Sequence, residues 1–181
     1  MIMSILKVAR MGHPVLRVKA QPLAPSDFKH QALQSLIDDM LDTMAEYHGV
    51  GLAAPQIHES LRLFVGVLES ARPEAGKDAA EPEPIAIINP EITAVGDEIV
   101  EDWEGCLSIP DVRGRVPRSR EIKVRAYDRK GERLELRARG YSARVIQHET
   151  DHLDGILFFD RMKTFESLTF LDEYARYWAK D

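Results

Sequence analysis

The segment QHETDHLDG, residues 147–155, constrains the fold of this 181-residue chain more than any other segment. If it is helical, His148 and His152 lie one turn apart, with Cβ atoms about 6 Å from each other, so both imidazoles can bind one metal ion. Glu149 then lies about 100° around the helix, beside the ion but not bound to it. We therefore predict a metal-binding helix over residues 142–154, with Glu149 as a general base acting on water.

Two histidines do not complete a catalytic metal site, which needs a third protein ligand and one open position. The pattern that supplies a third histidine three residues after Gly155 is excluded, because Phe158 stands there. Glu173 is one remaining candidate and would make the protein a metallopeptidase. Cys106, in the segment WEGCLSIP, is the better candidate, since a thiolate is a strong ligand for borderline-soft divalent ions.

A third segment, GVGLAAPQ at residues 49–56, formally matches a dinucleotide-binding fingerprint. Its context argues against that function, because it follows a predicted helix instead of a strand and Pro55 interrupts any helix it could open. We predict a tight turn that presents the side-chain amide of Gln56 into a cleft.

Hydrophobic periodicity predicts an α+β fold, with antiparallel or mixed β-sheets packed around the central metal-binding helix, an N-terminal-half helix and a C-terminal helix. The two outer helices are predicted at residues 26–49, with Ser26 as N-cap and Gly49 in the left-handed position past the end, and at residues 164–180. Strands are predicted at residues 62–68 and 85–89, on either side of a turn at Gly96-Asp97, and in a hairpin of residues 121–127 and 133–139. We expect a single catalytic domain over residues 1–181, with an exposed loop insertion at residues 69–84.

Composition limits the partners and the compartment. The formal net charge of −6 argues against direct nucleic-acid binding, which normally requires a basic face. No apolar run approaches the ~18 residues of a membrane span, and the N-terminal segment does not resemble a signal peptide. The single cysteine excludes an intrachain disulfide. We therefore expect a protein of a reducing compartment, the cytoplasm, with no membrane partner.

Taken together, GVGLAAPQ, EGCLS and QHETDHLDG resemble the three motifs of the bacterial-type peptide deformylase family, in the same order and with comparable spacing. The similarity runs along nearly the whole chain. It implies a hydrolase that removes the N-formyl group from the N-terminal formylmethionine of nascent polypeptides and releases formate. It also implies one divalent ion per chain held by Cys106, His148 and His152, natively Fe²⁺, with Zn²⁺, Ni²⁺ or Co²⁺ as alternatives.

The same resemblance implies roles for further residues. Glu149 would act as general base and then as general acid, and Gln56 with the backbone N–H of Leu107 would form the oxyanion hole. The substrate would be held by the backbone of Val50, Gly51 and Gly105, and the methionine pocket would be lined by Tyr141, Arg144 and Val145.

Ligating histidines usually donate their second N–H to a partner, so support around the ligands is expected. We predict that Glu104 pairs with Arg118 and holds the loop of Cys106. Asp151 fits either a helix-surface position or an acceptor behind the ligands. Partners expected from the activity are N-formylmethionyl nascent peptides and, transiently, the ribosome. The alternatives are the metallopeptidase using Glu173 and a relative that binds formyl peptides without turnover.

Overall fold

The computed structural model describes residues 4–68 and 83–179, and within them it contains four α-helices and eight β-strands. The helices are α1 (Gln31–Glu46), α2 (Gly140–Leu153), α3 (Phe158–Arg161) and α4 (Leu171–Tyr177). The strands are β1 (Gly51–Ala53), β2 (Leu63–Val67), β3 (Pro84–Ala94), β4 (Ile99–Cys106), β5 (Ile109–Ser119), β6 (Glu121–Tyr127), β7 (Arg133–Arg139) and β8 (Thr169–Phe170). The loop predicted at residues 69–84 lies outside the described residues as far as residue 82, and Pro84 already begins β3.

The strands form two antiparallel sheets around helix α2. One sheet has five strands in the order β1-β2-β3-β6-β7, and the other has three in the order β4-β5-β8. Helix α2 contacts strands of both sheets, including β1, β2, β6 and β7 of the first and β5 of the second. The predicted α+β architecture with a central metal-binding helix is therefore confirmed, and the pairings between named strands are all antiparallel.

Helix α2 is buried to an unusual degree for its composition. Eleven of its fourteen residues are buried, and they include charged and imidazole side chains as well as apolar ones. Its apolar residues Ile146 and Leu153 pack on the five-stranded sheet in one cluster with Phe64, Ile122 and Val124. Burying a charged group is costly unless it is paired and hydrogen-bonded. The polar face of α2 therefore requires partners from the surrounding strands.

Helix α2 ends in a Schellman motif, as the glycine at position 155 suggested. The N–H of Gly155 donates to the carbonyl of His152, and the N–H of Ile156 donates to the carbonyl of Asp151. Gly155 takes the left-handed conformation with φ +73°, which glycine adopts without strain. The end of the helix, one residue after His152, is thus held by backbone geometry.

Both predicted boundaries of the N-terminal-half helix are wrong. Helix α1 begins at Gln31 and not beside Ser26, because residues 24–30 form turns closed by bonds such as His30 N–H to the Asp27 carbonyl. At the other end, His48 and not Gly49 takes the left-handed conformation, with φ +53°. Gly49 instead lies close to another segment, since a Cβ there would lie 2.9 Å from Cδ1 of Leu107.

The predicted β6–β7 hairpin is confirmed, and so are the strands at β2 and β3. The strands predicted on either side of Gly96 exist, but they do not pair with each other, because β3 pairs with β6 while β4 pairs with β5. The sequence analysis missed strand β5, whose two prolines and central glycine hide its alternation. The turn at Gly96 therefore leads the chain from one sheet into the other.

The predicted C-terminal helix is present, but its predicted bounds of residues 164–180 are wrong. The helix is limited to Leu171–Tyr177, and directly before it Thr169 and Phe170 pair with Arg113 and Val112 of strand β5. Backbone pairing with the open edge of β5 replaces the first turns of helix that periodicity suggested. Within residues 4–68 and 83–179, no helix is long and apolar enough to cross a membrane.

Alanine substitutions at Gly155 and Gly96, which have the same φ, allow the cost of backbone strain to be distinguished from the cost of steric overlap. Gly155→Ala should lower the free energy of unfolding by about 1–2 kcal/mol for the left-handed conformation and by about 1–3 kcal/mol more for overpacking. The second contribution arises because a Cβ at Gly155 would lie 2.8 Å from the carbonyl of Arg17. Gly96→Ala, with the same φ of +73° and nothing within 4 Å, should show only the first. Guanidinium unfolding of both variants at saturating metal measures the difference, and equal losses would contradict the packing argument.

Candidate metal centre and active-site cleft

Three donor side chains converge where the end of β4 meets helix α2. The ligand atoms of Cys106, His148 and His152 all lie within 4.8 Å of one another, and all three residues are buried. The Sγ of Cys106 is 3.2 Å from Nε2 of His152. One thiolate and two imidazoles suit a borderline-soft divalent ion, and three protein ligands leave a position open for chemistry. The residues present therefore fit a catalytic metal site.

The second ring nitrogen of His148 is held by a buried carboxylate. Nδ1 of His148 lies 2.9 Å from Oε2 of Glu104, which leaves Nε2 of the same ring for the ion. Burial lowers the pKa of His148, but its hydrogen bonds with Cys106 and Glu104 outweigh this and raise it well above its usual range. Burial alone would raise the pKa of Glu104, yet the bonds from His148 and Arg118 hold it far below the ordinary value. Glu104 is therefore an anion that fixes the orientation of the ring.

Glu104 belongs to a buried network of charges behind the ligands. The guanidinium of Arg118 donates to both of its carboxylate oxygens, at 2.9 and 3.0 Å, so the structure brings the two predicted partners together. Nη1 of Arg118 also donates to Asp151 at 2.5 Å, and Arg161 donates to the other oxygen of Asp151 at 2.7 Å. Asp151 is thus buried behind the ligands and does not lie on the helix surface.

Arg144 belongs to the same network, and its guanidinium is paired within the protein. Its Nη1 lies 2.7 Å from Oε1 of Glu104 and 2.8 Å from the Val116 carbonyl, and its Nη2 lies 2.8 Å from the Val100 carbonyl. The guanidinium therefore ties helix α2 to β4 and β5. Only the remaining surface of this side chain is left to line the cleft.

Glu149 lies beside the three donors on the cleft side of α2. Its carboxyl group is buried, its Oε2 has no hydrogen-bond partner among the described residues, and burial raises its pKa to about 7, against a smaller lowering by His148. Strand β1 approaches it closely, since a Cβ on Gly51 would lie 2.4 Å from Oε1 of Glu149. A cation nearby would favour the ionised carboxylate.

The amide of Gln56 is oriented by two fixed contacts. The backbone N–H of Ala53 donates to Oε1 of Gln56 at 2.8 Å, so the NH₂ group must point the other way. That group lies 3.2 Å from Oγ of Ser108 and 3.6 Å from Sγ of Cys106. The side chain therefore directs its N–H donors, and not its carbonyl oxygen, towards Cys106, His148 and His152, which we call the metal-ligand group. Ser108 was not singled out by the sequence analysis, although it directly follows the cysteine motif.

The predicted substrate-binding residues line one cleft of about 740 Å³, and Cys106, His148 and Glu149 line the same cleft. Its walls include the residues predicted from the resemblance, namely Val50, Gly51, Gly105, Leu107, Tyr141, Arg144 and Val145. They also include Trp103, Leu171 and Tyr174, to which the sequence analysis gave no role in the site. No local motif marks the last two, because they reach the cleft through the pairing of β8 with β5.

Glu173 does not take part in the metal-ligand group. Among the described residues, only Cys106, His148 and His152 bring three such donors together. The carboxylate of Glu173 lies on α4 and pairs with Arg176 at 3.2 Å. The metallopeptidase alternative is therefore not supported.

The support that Glu104 gives to His148 can be measured as metal affinity. Glu104→Gln should weaken Zn²⁺ binding by about 10–100-fold, because the amide cannot replace the anion that orients the ring and balances the arginines. Competition with a chelator measures the affinity, and circular dichroism checks that the variant is folded. Glu101→Gln on the same strand is the control, since its carboxylate pairs with the exposed Lys163 and not with a metal ligand. Equal affinities for the two variants would contradict the assignment.

Comparison of the sequence with known families and proteins gives a consistent result. A family model described as polypeptide deformylase matches residues 5–167. Peptide deformylase 2 of Nostoc sp. is 41% identical over 178 residues, which is 98% of this chain and 97% of that protein. Peptide deformylase 1 of Bordetella pertussis is 45% identical over 163 residues, which is 90% of this chain and 89% of that protein.

Solved structures agree with the sequence comparison. A class I type b peptide deformylase from Acinetobacter baumannii with bound Met-Ala-Ser superposes with a TM-score of 0.80 at 39% identity, covering 89% of this chain and all of that one. Peptide deformylase from Thermotoga maritima superposes with a TM-score of 0.76 at 40% identity, covering 88% of this chain and 99% of that one. With matches of this extent in sequence and in fold, the chain belongs to the peptide deformylase family.

Proposed function

We propose that this protein removes the N-formyl group from the N-terminal formylmethionine of nascent polypeptides and releases formate. The observation that carries the proposal is the arrangement in one cleft of the three donor atoms, the carboxyl group of Glu149 and the amide of Gln56. A structural metal site would have four protein ligands and would need neither of the last two groups. The site therefore supports turnover and not only binding of formyl peptides.

In this proposal Cys106, His148 and His152 hold one divalent ion. Its native identity is proposed as Fe²⁺, with Zn²⁺, Ni²⁺ and Co²⁺ as alternatives, because ligand type alone seldom selects among these ions. When bound, such an ion acts as a Lewis acid that acidifies water and polarises the formyl oxygen. The buried network behind His148 keeps the ligands in place during the reaction.

Glu149 moves the proton. Its carboxylate, on the cleft side of α2, takes the proton from the attacking water, and the new C–O bond forms at the formyl carbon. The protonated carboxyl group then gives this proton to the amine nitrogen as the C–N bond breaks. A pKa raised by burial suits a group that must both accept and donate a proton.

Gln56 and Leu107 stabilise the negative charge that develops on the formyl oxygen. The Ala53 N–H holds the carbonyl of the Gln56 side chain, so the NH₂ group is already directed into the site before the substrate arrives. The backbone N–H of Leu107, next to the cysteine ligand, is the proposed second donor. Losing one preorganised donor of this kind typically costs about 10²–10³-fold in rate.

The substrate is proposed to lie as an extended chain between β1 and the end of β4. Strand β1 forms the edge of the five-stranded sheet, so a peptide can add to it by backbone hydrogen bonds at Val50 and Gly51. The backbone of Gly105 would contact the other side. The methionine side chain would enter a pocket lined by Tyr141, Arg144 and Val145.

The cellular setting follows from this substrate. Formylmethionine occurs at the start of newly made chains, so we propose that the protein acts in the cytoplasm and contacts the ribosome transiently. Neither a nucleic-acid partner nor a membrane partner is needed for the reaction, and the net charge of −6 suits neither anionic surface.

The proposal is tested by the release of formate from formyl-Met-Ala-Ser. Protein purified without oxygen, with its bound metal quantified, should release formate in proportion to the metal content. Cys106→Ser should lose most of the metal and, with it, the activity, while remaining folded by circular dichroism. A protein with one metal ion per chain and no formate release would refute the proposed function.

The close approach of β1 to the proposed base predicts a second effect on activity. Gly51→Ala should lower kcat by about 100-fold, because the added methyl group would displace the carboxyl group of Glu149. Gly66→Ala is a matched control on the strand paired with it, since its Cβ would come no closer than 3.4 Å to any atom. Metal content should be unchanged in both variants. A fully active Gly51→Ala would show that Glu149 is not held where the mechanism requires it.

A further inference from the structure

The C-terminal segment after the family match reaches the substrate cleft. The match ends at residue 167, and β8 and α4 follow it. Thr169 and Phe170 pair with Arg113 and Val112 of β5, the strand that pairs with the cysteine-bearing strand β4. This pairing holds the first residue of α4, Leu171, beside the cleft.

Helix α4 makes little contribution to the hydrophobic core. None of its seven residues is fully buried. Its outer side chain Tyr177 is 65% exposed, and Leu171 is 37% exposed. Because stabilisation by burial scales with the apolar area removed from water, this helix contributes little to folding.

Aromatic contacts fix the helix against one wall of the cleft. The ring of Trp103 on β4 lies 4.9 Å from that of Tyr174, edge to face, and 5.8 Å from that of Trp178. Trp103, Leu171 and Tyr174 all line the cleft that also contains Glu149 and the metal-ligand group. We call these three side chains the C-terminal wall.

The size of the cleft leaves room for more than the methionine side chain. Its volume of about 740 Å³ lies in the range of sites that enclose ligands much larger than one side chain. The methionine pocket is proposed to lie at the first turns of α2, whereas the C-terminal wall comes from β4 and α4. An extended peptide advances about 3.3 Å per residue, so residues after methionine reach other parts of the cleft.

We propose that Trp103, Leu171 and Tyr174 form a subsite for an apolar side chain that follows formylmethionine in the substrate. The C-terminal segment thereby gives this protein a preference for nascent chains with an apolar residue at the second or third position. This inference rests on the proposed function and concerns the choice among substrates, not the reaction itself.

The test compares formate release from three peptides: formyl-Met-Ala-Ser, formyl-Met-Leu-Ser and formyl-Met-Ala-Leu. For the wild-type protein, kcat/KM should be about 10-fold higher for at least one leucine peptide than for the reference peptide, as expected for filling an apolar pocket. Leu171→Ala and Tyr174→Ala should remove most of this ratio, and Tyr174→Phe, which keeps the ring, should retain it. Tyr177→Ala, on the same helix but outside the cleft, should leave kcat/KM for all three peptides, and therefore the ratio, unchanged.

Several results would overturn the subsite. The ratio could be absent in the wild-type protein, could survive in both alanine variants, or could fall equally in the Tyr177 control. A further peptide, formyl-Ala-Ala-Ser, tests the methionine pocket. If the alanine variants change only the ratio of kcat/KM between formyl-Met-Ala-Ser and this peptide, the C-terminal wall belongs to the methionine pocket instead. Failure to release formate from any peptide would refute the proposed function, so the two failures are distinguishable. Thermal unfolding verifies that each variant is folded.

Discussion

The contact between Glu104 and His148 is the interaction on which the rest of the site depends. A carboxylate with its exposure reduced to 6% would be prohibitively unstable alone, so Arg118 and Arg144 must balance its charge. Those two arginines come from β5 and α2, while the carboxylate comes from β4. The charge that orients one metal ligand therefore also joins the three-stranded sheet to the central helix. Stability of the fold and geometry of the site share the same hydrogen bonds.

The network explains why α2 can be both polar and buried. Two of its buried charged side chains meet partners, with Asp151 held by Arg118 and Arg161, and Arg144 held by Glu104 and by carbonyls of β4 and β5. Oγ1 of Thr150 and Nδ1 of His152 are buried without a hydrogen-bond partner among the described residues, so the support expected for both ligating histidines is present only at His148. The cleft side is different, since Glu149 retains an oxygen without a partner. The paired charges of Asp151 and Arg144 thus lie behind the ligands, and the carboxyl group available for chemistry lies on the cleft side.

The sequence predicted the chemistry better than the connections between elements. The spacing of His148 and His152 is local, so a helix alone determines it, and the β6–β7 hairpin is likewise set by a short turn. Strand β5 and the short helix α4 depend on long-range pairing, which periodicity does not record. The end of α1 shows the same limit, because His48 takes the left-handed conformation while Gly49 lies against Leu107 from a distant segment. Residues fixed by distant backbone are the ones that local patterns miss.

The separation of the donors along the chain has a consequence for the order of folding. Gln56 is 50 residues before Cys106, and Cys106 is 46 residues before His152. Closing such long loops is slow and precedes any gain from the contacts they allow. The complete set of three ligands therefore forms only once the cysteine-bearing strand has packed against α2. An ion that binds this complete site more tightly than the unfolded chain would shift the unfolding equilibrium towards the native state.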